Sequence, residues 1–374
     1  MKKIRVGITG QAGFVGTHLF NTLGLYPDQF ERIPFERAYF ETAVLLEDFV
    51  GQCDVIVHLA GVNRHNDQGF IYDKNKELTF KLIKALTITG SKAHLLFSSS
   101  TQEERGNLYG QAKKEAREAL ALWAKEAGAV FTGLIIPNVF GPFGTPYYNS
   151  VVATFCYQLT HQEEPAIDVD GQMKLIYVGE LVIQILDCVK NETNEFIRPV
   201  LHTYEIPVSG LLTLLKGYTT QYLEQGMIPL LSNRFEVDLF NTYRSYIEIQ
   251  NHFPVIYPQQ NDERGAFVEL IKLNVGGQVS FSTTVPGVTR GNHFHTRKIE
   301  RFSVIKGKAL IQLRRIGTDE VLDFFLDGNE PAYVDMPIWY THNIKNIGDE
   351  VLYTNFWINE FYDANDADTF FETV

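Results

Sequence analysis

Three cysteines in 374 residues are too few for a disulfide framework, and Cys53, Cys156 and Cys188 form no C-x-x-C pair. Reduced, buried thiols are the expectation. No run of about eighteen apolar residues is present, which excludes a membrane-spanning helix. The opening Met1-Lys2-Lys3-Ile4-Arg5-Val6-Gly7 is basic but lacks the apolar stretch of a signal peptide, so a cytoplasmic location is expected. Internal repeats and low-complexity tracts are also missing. There is no excess of positive charge: 33 Lys and Arg stand against 45 Asp and Glu, a net charge of -12. That argues against a nucleic-acid surface, while leaving room for an anionic small ligand in a locally positive pocket. What remains, 45% hydrophobic and 21% charged, is ordinary globular protein long enough for two domains.

The pattern changes along the chain. Apolar runs at 4–9, 54–59, 94–97 and 131–136 read as buried strands, and amphipathic stretches at 15–25, 78–89 and 109–128 read as helices. Strands alternating with helices predict a Rossmann-like α/β domain with a parallel sheet. Helical patterns at 180–190 and 209–224 are assigned to the same domain. From 267 to 356 the chain turns to short alternating runs punctuated by Pro286-Gly287, Lys306-Gly307 and Asp327-Gly328, the signature of an all-β domain. Pro254 and Pro258 mark the change, and we divide the chain into domains 1–247 and 248–374.

Thr9-Gly10-Gln11-Ala12-Gly13-Phe14-Val15-Gly16 follows the first strand and opens the first helix. Gly10, Gly13 and Gly16 permit a tight turn and close approach of backbone to a pyrophosphate, and the helix start at Phe14 and Val15 offers free N–H groups. The context, rather than the glycines alone, points to a dinucleotide. Some twenty residues on, Glu36 suits ribose hydroxyls and NAD, whereas Arg37 suits a 2′-phosphate and NADP; position leaves both open.

Tyr109-Gly110-Gln111-Ala112-Lys113 follows the strand-end run Phe97-Ser98-Ser99-Ser100-Thr101. Positions i and i+4 share a helix face, so Lys113 is expected to lower the Tyr109 phenol pKa and hold the nicotinamide ribose. A strand-end hydroxyl can then hydrogen-bond the substrate carbonyl. Tyr72 and Lys76 have the same spacing without such a strand end and read as surface packing. Near the other end of the chain, Gly287 begins a Gly-x5-His-x-His-x4-Glu-x6-Gly pattern with His293, His295 and Glu300; His342 follows later. Alternating histidines on a strand face one side. Three imidazoles and a carboxylate suit Zn, Fe, Mn or Ni alike. His58 and His65 lie outside this set and read as packing residues.

The glycine turn, His58-Leu59-Ala60-Gly61, Ser98-Ser99-Ser100, Tyr109 to Lys113 and Pro137-Asn138-Val139-Phe140-Gly141-Pro142 resemble the extended short-chain dehydrogenase/reductase family. The resemblance implies Ser100 as catalytic hydroxyl, with Thr101 the less favoured alternative, Tyr109 as general acid/base, and Lys113 as its partner. It adds Leu59, Ala60, Gly61 and Asn75, the last ahead of a helix, to the dinucleotide site. Residues 287–346 resemble the two cupin motifs, with Trp339 where glycine is usual, which puts a tight turn in doubt. As a whole, through Val57-His58-Leu59-Ala60-Gly61-Val62-Asn63-Arg64, Tyr148-Asn149-Ser150-Val151-Val152-Ala153-Thr154-Phe155-Cys156-Tyr157 and Tyr340-Thr341-His342-Asn343-Ile344, the chain resembles the CapF-like family of bifunctional capsular polysaccharide enzymes.

That family resemblance implies an oxidoreductase and isomerase. By that resemblance the cupin would epimerise C3 of a UDP-linked 4-keto-6-deoxy-N-acetylhexosamine, and the reductase would reduce C4 with NADPH. A divalent metal, Zn first, and a homodimer are further implications. His295, Lys298, Tyr333 and Tyr340 stay open as the epimerisation base. The alternatives are a single-activity reductase whose cupin is structural or dimerising, and a sugar-nucleotide-binding regulator without chemistry. The intact Ser100, Tyr109 and Lys113 speak against the regulator.

Overall fold

Strands apolar on both faces need cover on both, and the first half of the chain supplies it. The computed structural model describes residues 2–263 and 265–374. In chain order come β1 (Ile4–Thr9), α1 (Phe14–Gly24), β2 (Phe30–Ile33), α2 (Ala43–Gln52), β3 (Val55–His58), α3 (Gln68–Ile88), β4 (His94–Ser100), α4 (Leu108–Ala127) and β5 (Phe131–Ile136). They are followed by β6 (Asn138–Phe140), α5 (Val151–Thr160), β7 (Gln172–Tyr177), α6 (Val178–Lys190), β8 (Glu195–Pro199) and β9 (Tyr204–Pro207). Six strands form a parallel sheet in the order β2-β1-β3-β4-β5-β8. Ile56, Leu95 and Phe97 face a core with Phe49, Leu82, Leu120 and Trp123, while Val55, Val57 and Leu96 face Leu19, Leu23 and Ile185 on the other side. The chain runs outward from β1 to β2 and then crosses back to place β3 on the other flank of β1. Reversal of this kind opens a crevice at the carboxyl ends of the strands, where such sheets bind ligands.

The second half continues with α7 (Val208–Tyr218), a π-helical turn at Thr219–Glu224, α8 (Arg234–Arg244) and α9 (Ile249–His252). Strands β10 (Val255–Ile256), β11 (Gln259–Asp262), β12 (Gly265–Val268), β13 (Gln278–Thr284), β14 (Thr289–Phe294), β15 (Glu300–Lys306) and β16 (Lys308–Arg315) come next. Then follow β17 (Val321–Asp327), β18 (Ala332–Met336), β19 (Tyr340–Asn346), β20 (Leu352–Ile358) and β21 (Phe370–Phe371). Two five-stranded antiparallel sheets, β10-β18-β15-β20-β13 and β17-β16-β19-β14-β21, enclose one core in which Val304 and Met336 meet Ile311, Leu313 and Ile344. An α/β Rossmann-like unit and an all-β unit are thus both present, as the change of periodicity predicts.

Contacts group Met1–Thr154 with Val169–Val208, and Phe155–Asp168 with Ser209–Val374. The helical stretch 209–224, assigned from its pattern to the α/β domain, therefore belongs with the β-strands. Glu300, Phe302 and Val304 point into the barrel core, so Arg301 on the same strand points out. That outward face is covered by helices. Arg301 forms a bidentate pair with Asp335, at 2.7 and 2.9 Å, and its third arm donates to the Gly226 carbonyl at 2.9 Å. The Tyr222 hydroxyl donates to Asp335 at 2.6 Å, and Arg244 donates to the Met336 carbonyl at 3.1 Å. Among the described residues no helix is long and apolar enough to cross a membrane. Cys53, Cys156 and Cys188 are free and buried.

Candidate functional site

The glycine turn is built for close approach. Gly10 has φ +78°, and a Cβ there would lie 2.8 Å from the Ala60 nitrogen; a Cβ on Gly16 would lie 2.3 Å from the Gly10 carbonyl oxygen. The Gly13 N–H closes the turn onto that carbonyl at 2.9 Å. Gly13 caps α1 with no side-chain hydrogen bond, so Phe14 and Val15 begin the helix with donors available to an anion. Gln11 accepts from the Phe35 N–H at 3.0 Å and ties the turn to the segment after β2, where Glu36 and Arg37 are both exposed. Leu59, Ala60 and Gly61 leave the end of β3 beside Gly10. A Cβ on Gly61 would lie 2.6 Å from Asn75 Oδ1 and 3.4 Å from Lys113 Nζ. Asn75 lies inside α3 rather than ahead of it, because α3 starts ten residues earlier than its apolar spacing indicates. From there its amide donates to the Val62 and Ile71 carbonyls, both at 2.7 Å, and accepts from the Val62 N–H at 3.2 Å. Asn75 thus orders the loop after β3.

Asn107 caps α4 by accepting from the Gly110 N–H at 2.7 Å, so Tyr109 sits in the first turn. Gly110 has no room for a Cβ, which would lie 2.0 Å from the Gln102 carbonyl oxygen. The short 3-10 helix Thr101–Glu104 that continues from β4 therefore rests directly on the start of α4. Ser100 caps that 3-10 helix, accepting from the Gln102 N–H at 3.1 Å. Lys113 is buried, and its ammonium donates to the Ser98 carbonyl at 2.8 Å. Burial brings its pKa down to about 8, opposed by the nearby Glu103 charge. The expected lowering of the Tyr109 pKa is not what the geometry produces. Burial, with Tyr148 adding to it, pushes the phenol up to about 12. Lys113 Nζ is 5.9 Å from the Tyr109 ring centre and already engaged with Ser98. Tyr72 and Lys76 pair with Glu115 at 2.7 and 2.9 Å, away from any strand end. His58 is buried and bonded to Thr9 at 2.6 Å; burial takes its pKa down to about 3, so it stays neutral.

The β unit brings His293, His295, Glu300 and His342 together, with one ligand atom from each within 4.8 Å of the others. Gly291 at φ +100° and Asn292 at φ +60° form a bulge that shifts the β14–β19 register and pairs His293 with His342. Glu300 Oε2 lies 3.0 Å from His295 Nε2 and 3.2 Å from His342 Nε2. These three buried atoms have no regular hydrogen-bond partner. The other nitrogens are engaged: His295 Nδ1 donates to the Asp368 carbonyl, and His342 Nδ1 to the Tyr340 carbonyl at 3.2 Å. Backbone acceptors on Nδ1 leave Nε2 of both rings facing Glu300, so that two imidazoles and a carboxylate converge where an ion could be held. Burial and the neighbouring His342 bring His293 down to about 4, so its imidazole is neutral. Glu300 resists the upward push of burial and is held far below the usual carboxylate range by His295 and His342. The donor set fits a divalent ion.

Of the four candidate bases, Tyr333 lies on the outer face, its ring 3.7 Å from the Arg301 guanidinium. The Lys298 ammonium donates to the Ala367 carbonyl at 2.6 Å. Tyr340 shares the inward side of β19 with His342 and Ile344 and packs against the barrel core. Trp339 keeps the tight turn after all: it adopts φ +62°, donates to the His295 carbonyl at 2.8 Å and stacks on Phe294. Left-handed backbone is costly for a bulky residue, and burial of the indole offsets it. Motif reading missed two groups. Glu103 holds Arg117 at 2.7 and 2.9 Å and accepts from Ser99 beneath the end of β4. Asp368 lies 73 residues from the histidine it meets. Neither has a local signal, since each partner is defined only by folding.

Residues 6–196 match the NAD dependent epimerase/dehydratase family, and residues 260–370 match a polysaccharide biosynthesis C-terminal domain. A UDP-2-acetamido-2,6-beta-L-arabino-hexul-4-ose reductase from Pseudomonas aeruginosa is 33% identical, covering 98% of each chain. The crystal structure of the capsular polysaccharide assembling protein CapF from Staphylococcus aureus is 33% identical, with a TM-score of 0.61, over 99% of this chain and 100% of that one. RMD from Pseudomonas aeruginosa, solved with NADPH, shares the fold at 21% identity and TM-score 0.52, over 58% of this chain and 83% of its own.

Proposed function

Because this chain belongs to the NAD dependent epimerase/dehydratase family, in the CapF-like group that adds a polysaccharide biosynthesis C-terminal domain, we propose that it is a bifunctional sugar-nucleotide enzyme of capsule or O-antigen synthesis. Its substrate is a UDP-linked 4-keto-6-deoxy-N-acetylhexosamine. The cupin-like β unit inverts C3, and the α/β unit reduces the C4 ketone to give UDP-N-acetyl-6-deoxy-L-talosamine, a precursor of UDP-N-acetyl-L-fucosamine. One observation supports this reading: a single chain holds Tyr109 and Lys113 in the first turns of α4, beside the end of β4, and, in a separate unit, three histidines and a glutamate that could hold a metal ion. The working form is a cytoplasmic homodimer.

NADPH supplies the hydride to C4. Gly10, Gly13, Phe14, Val15 and Gly16 would hold its pyrophosphate, Leu59, Ala60 and Gly61 would complete that site, and Arg37 would take the 2′-phosphate. Lys113 binds the nicotinamide ribose, Ser100 donates to the C4 oxygen, and Tyr109 passes its proton to that oxygen. In the β unit His293, His295, Glu300 and His342 would hold a divalent ion, Zn first, which would supply an electrophile for the ketone oxygen. A side-chain base would remove the C3 proton, and reprotonation from the opposite face would invert the centre; of the candidates outside the histidine–glutamate cluster, Tyr340 has the inward position.

The test uses the full chain, since residues 209–252 cover the outer face of the β unit. Incubation with the 4-keto sugar nucleotide in heavy water, without NADPH, is expected to place deuterium at C3, and later addition of NADPH to consume it stoichiometrically. NADPH consumption without prior exchange would leave a reductase with a structural β unit. The profile of kcat/KM for NADPH against pH is a further check. Lys113 is held down to about 8 by burial, so its cation is present below that pH and lost above it. The value should therefore be flat below pH 8 and decline above it.

A further inference from the structure

The histidine–glutamate cluster depends on a residue far from its motifs. Asp368 is buried in a loop that leads into β21, and its backbone has φ +42°, a conformation few non-glycine residues adopt. Its carboxylate accepts four hydrogen bonds. Oδ1 receives the Thr296 N–H at 3.1 Å and the Thr296 hydroxyl at 2.6 Å, and Oδ2 receives the Arg297 and Lys298 N–H groups, both at 3.0 Å. These donors are the three residues directly after His295. In return the Asp368 carbonyl accepts from His295 Nδ1. A carbonyl can only accept, so Nδ1 must carry a proton and Nε2 is left to face Glu300. Next along, β21 pairs with β14 at His293–Phe371 and Phe294–Phe370. The two segments therefore close a ring in which the carboxylate shapes the loop after His295 and the carbonyl orients His295 itself.

We propose that Asp368 is a positioning residue of the metal site: its carboxylate sets the backbone that selects the His295 tautomer and aims Nε2 at the metal. The proposal rests on reading the cluster as a metal site. Left-handed backbone held by four side-chain bonds is strain retained for a purpose at a ligand. Outer partners of this kind are worth about 10–100-fold in metal affinity.

The experiment loads the metal-stripped full chain with Co2+, measures affinity by competition with a chelator, and records the visible d–d spectrum and the melting temperature without metal. Asp368→Asn is the main variant, since asparagine tolerates left-handed backbone but presents an amide N–H to donors. It is expected to weaken Co2+ binding about 10–100-fold and to alter the spectrum, with the metal-free melting temperature near that of the parent. Thr296→Val, which removes only the hydroxyl bond, should shift affinity in the same direction by less. Unchanged Co2+ affinity and spectrum in Asp368→Asn, or a loss that merely tracks a lower metal-free melting temperature, overturns the proposal. If Asp368→Asn does not fold, Thr296→Val decides: an unchanged affinity overturns it. Failure of the parent chain to take up Co2+ removes the metal reading as well, whereas tight binding by parent and variant alike removes the Asp368 role alone.

Discussion

Tyr109→Phe is expected to slow NADPH-dependent reduction of the 4-keto sugar by about 10²–10⁴-fold, the usual worth of a positioned general acid. The ring remains, so packing at the start of α4 is kept and only the hydroxyl is lost. With its pKa pushed up to about 12 by burial, the phenol is protonated at neutral pH and loaded as an acid. Hydride arrival at C4 creates an oxyanion that must take a proton. Ser100 can donate a hydrogen bond to it, while Tyr109 is assigned the proton transfer. Single-turnover NADPH oxidation should fall while dinucleotide binding, followed by fluorescence, and deuterium exchange at C3 stay at parent levels. An unchanged turnover would remove Tyr109 from the role assigned to it.

Asp335→Asn is expected to destabilise the β unit by about 3–5 kcal/mol, the cost of leaving one member of a buried ion pair without its partner. Arg301 and Asp335 have side chains 1% and 0% exposed, so the stranded guanidinium cannot turn to water. At about 2–4 °C per kcal/mol for a unit of this size, the melting transition should drop by about 6–20 °C. Arg301 would still donate to the Gly226 carbonyl, and the amide oxygen introduced at position 335 could still accept from the Tyr222 hydroxyl, which places the effect on charge rather than on shape. Replacing both members, as Arg301→Met with Asp335→Leu, should restore part of the loss. Calorimetry of the single and double variants decides it. A double variant less stable than either single would contradict the argument.

Much of the layout was readable because it is local. The glycine turn, the Tyr109 and Lys113 spacing and the His-x-His pattern are each set by a few adjacent residues whose periodicity is fixed by strand or helix geometry. Gly110 and Gly61 were visible as letters but not as necessities; their reason is the Gln102 carbonyl in one case and the Asn75 amide in the other. The α7 segment was misassigned because a helix pattern records which face is apolar and not what covers it. The expected effect of Lys113 on Tyr109 failed for a related cause. Spacing puts the two on one face, but burial and the Ser98 carbonyl, which decide the charges, come from elsewhere in the chain.

The order of amino acids by itself determined an α/β unit followed by antiparallel β-sheets, a glycine turn between the first strand and first helix, and the His-x-His-x4-Glu spacing, since each follows from hydrophobic period or motif spacing within a short segment. Tertiary structure alone decided that helices 209–252 cover Arg301 and Asp335, that Glu103 and Arg117 lie beneath the strand-end serines, and that Asp368 orients His295. The physical reason is that hydrogen bonding and burial act through space. Residues separated by tens of positions acquire a common environment only when the chain has closed around them.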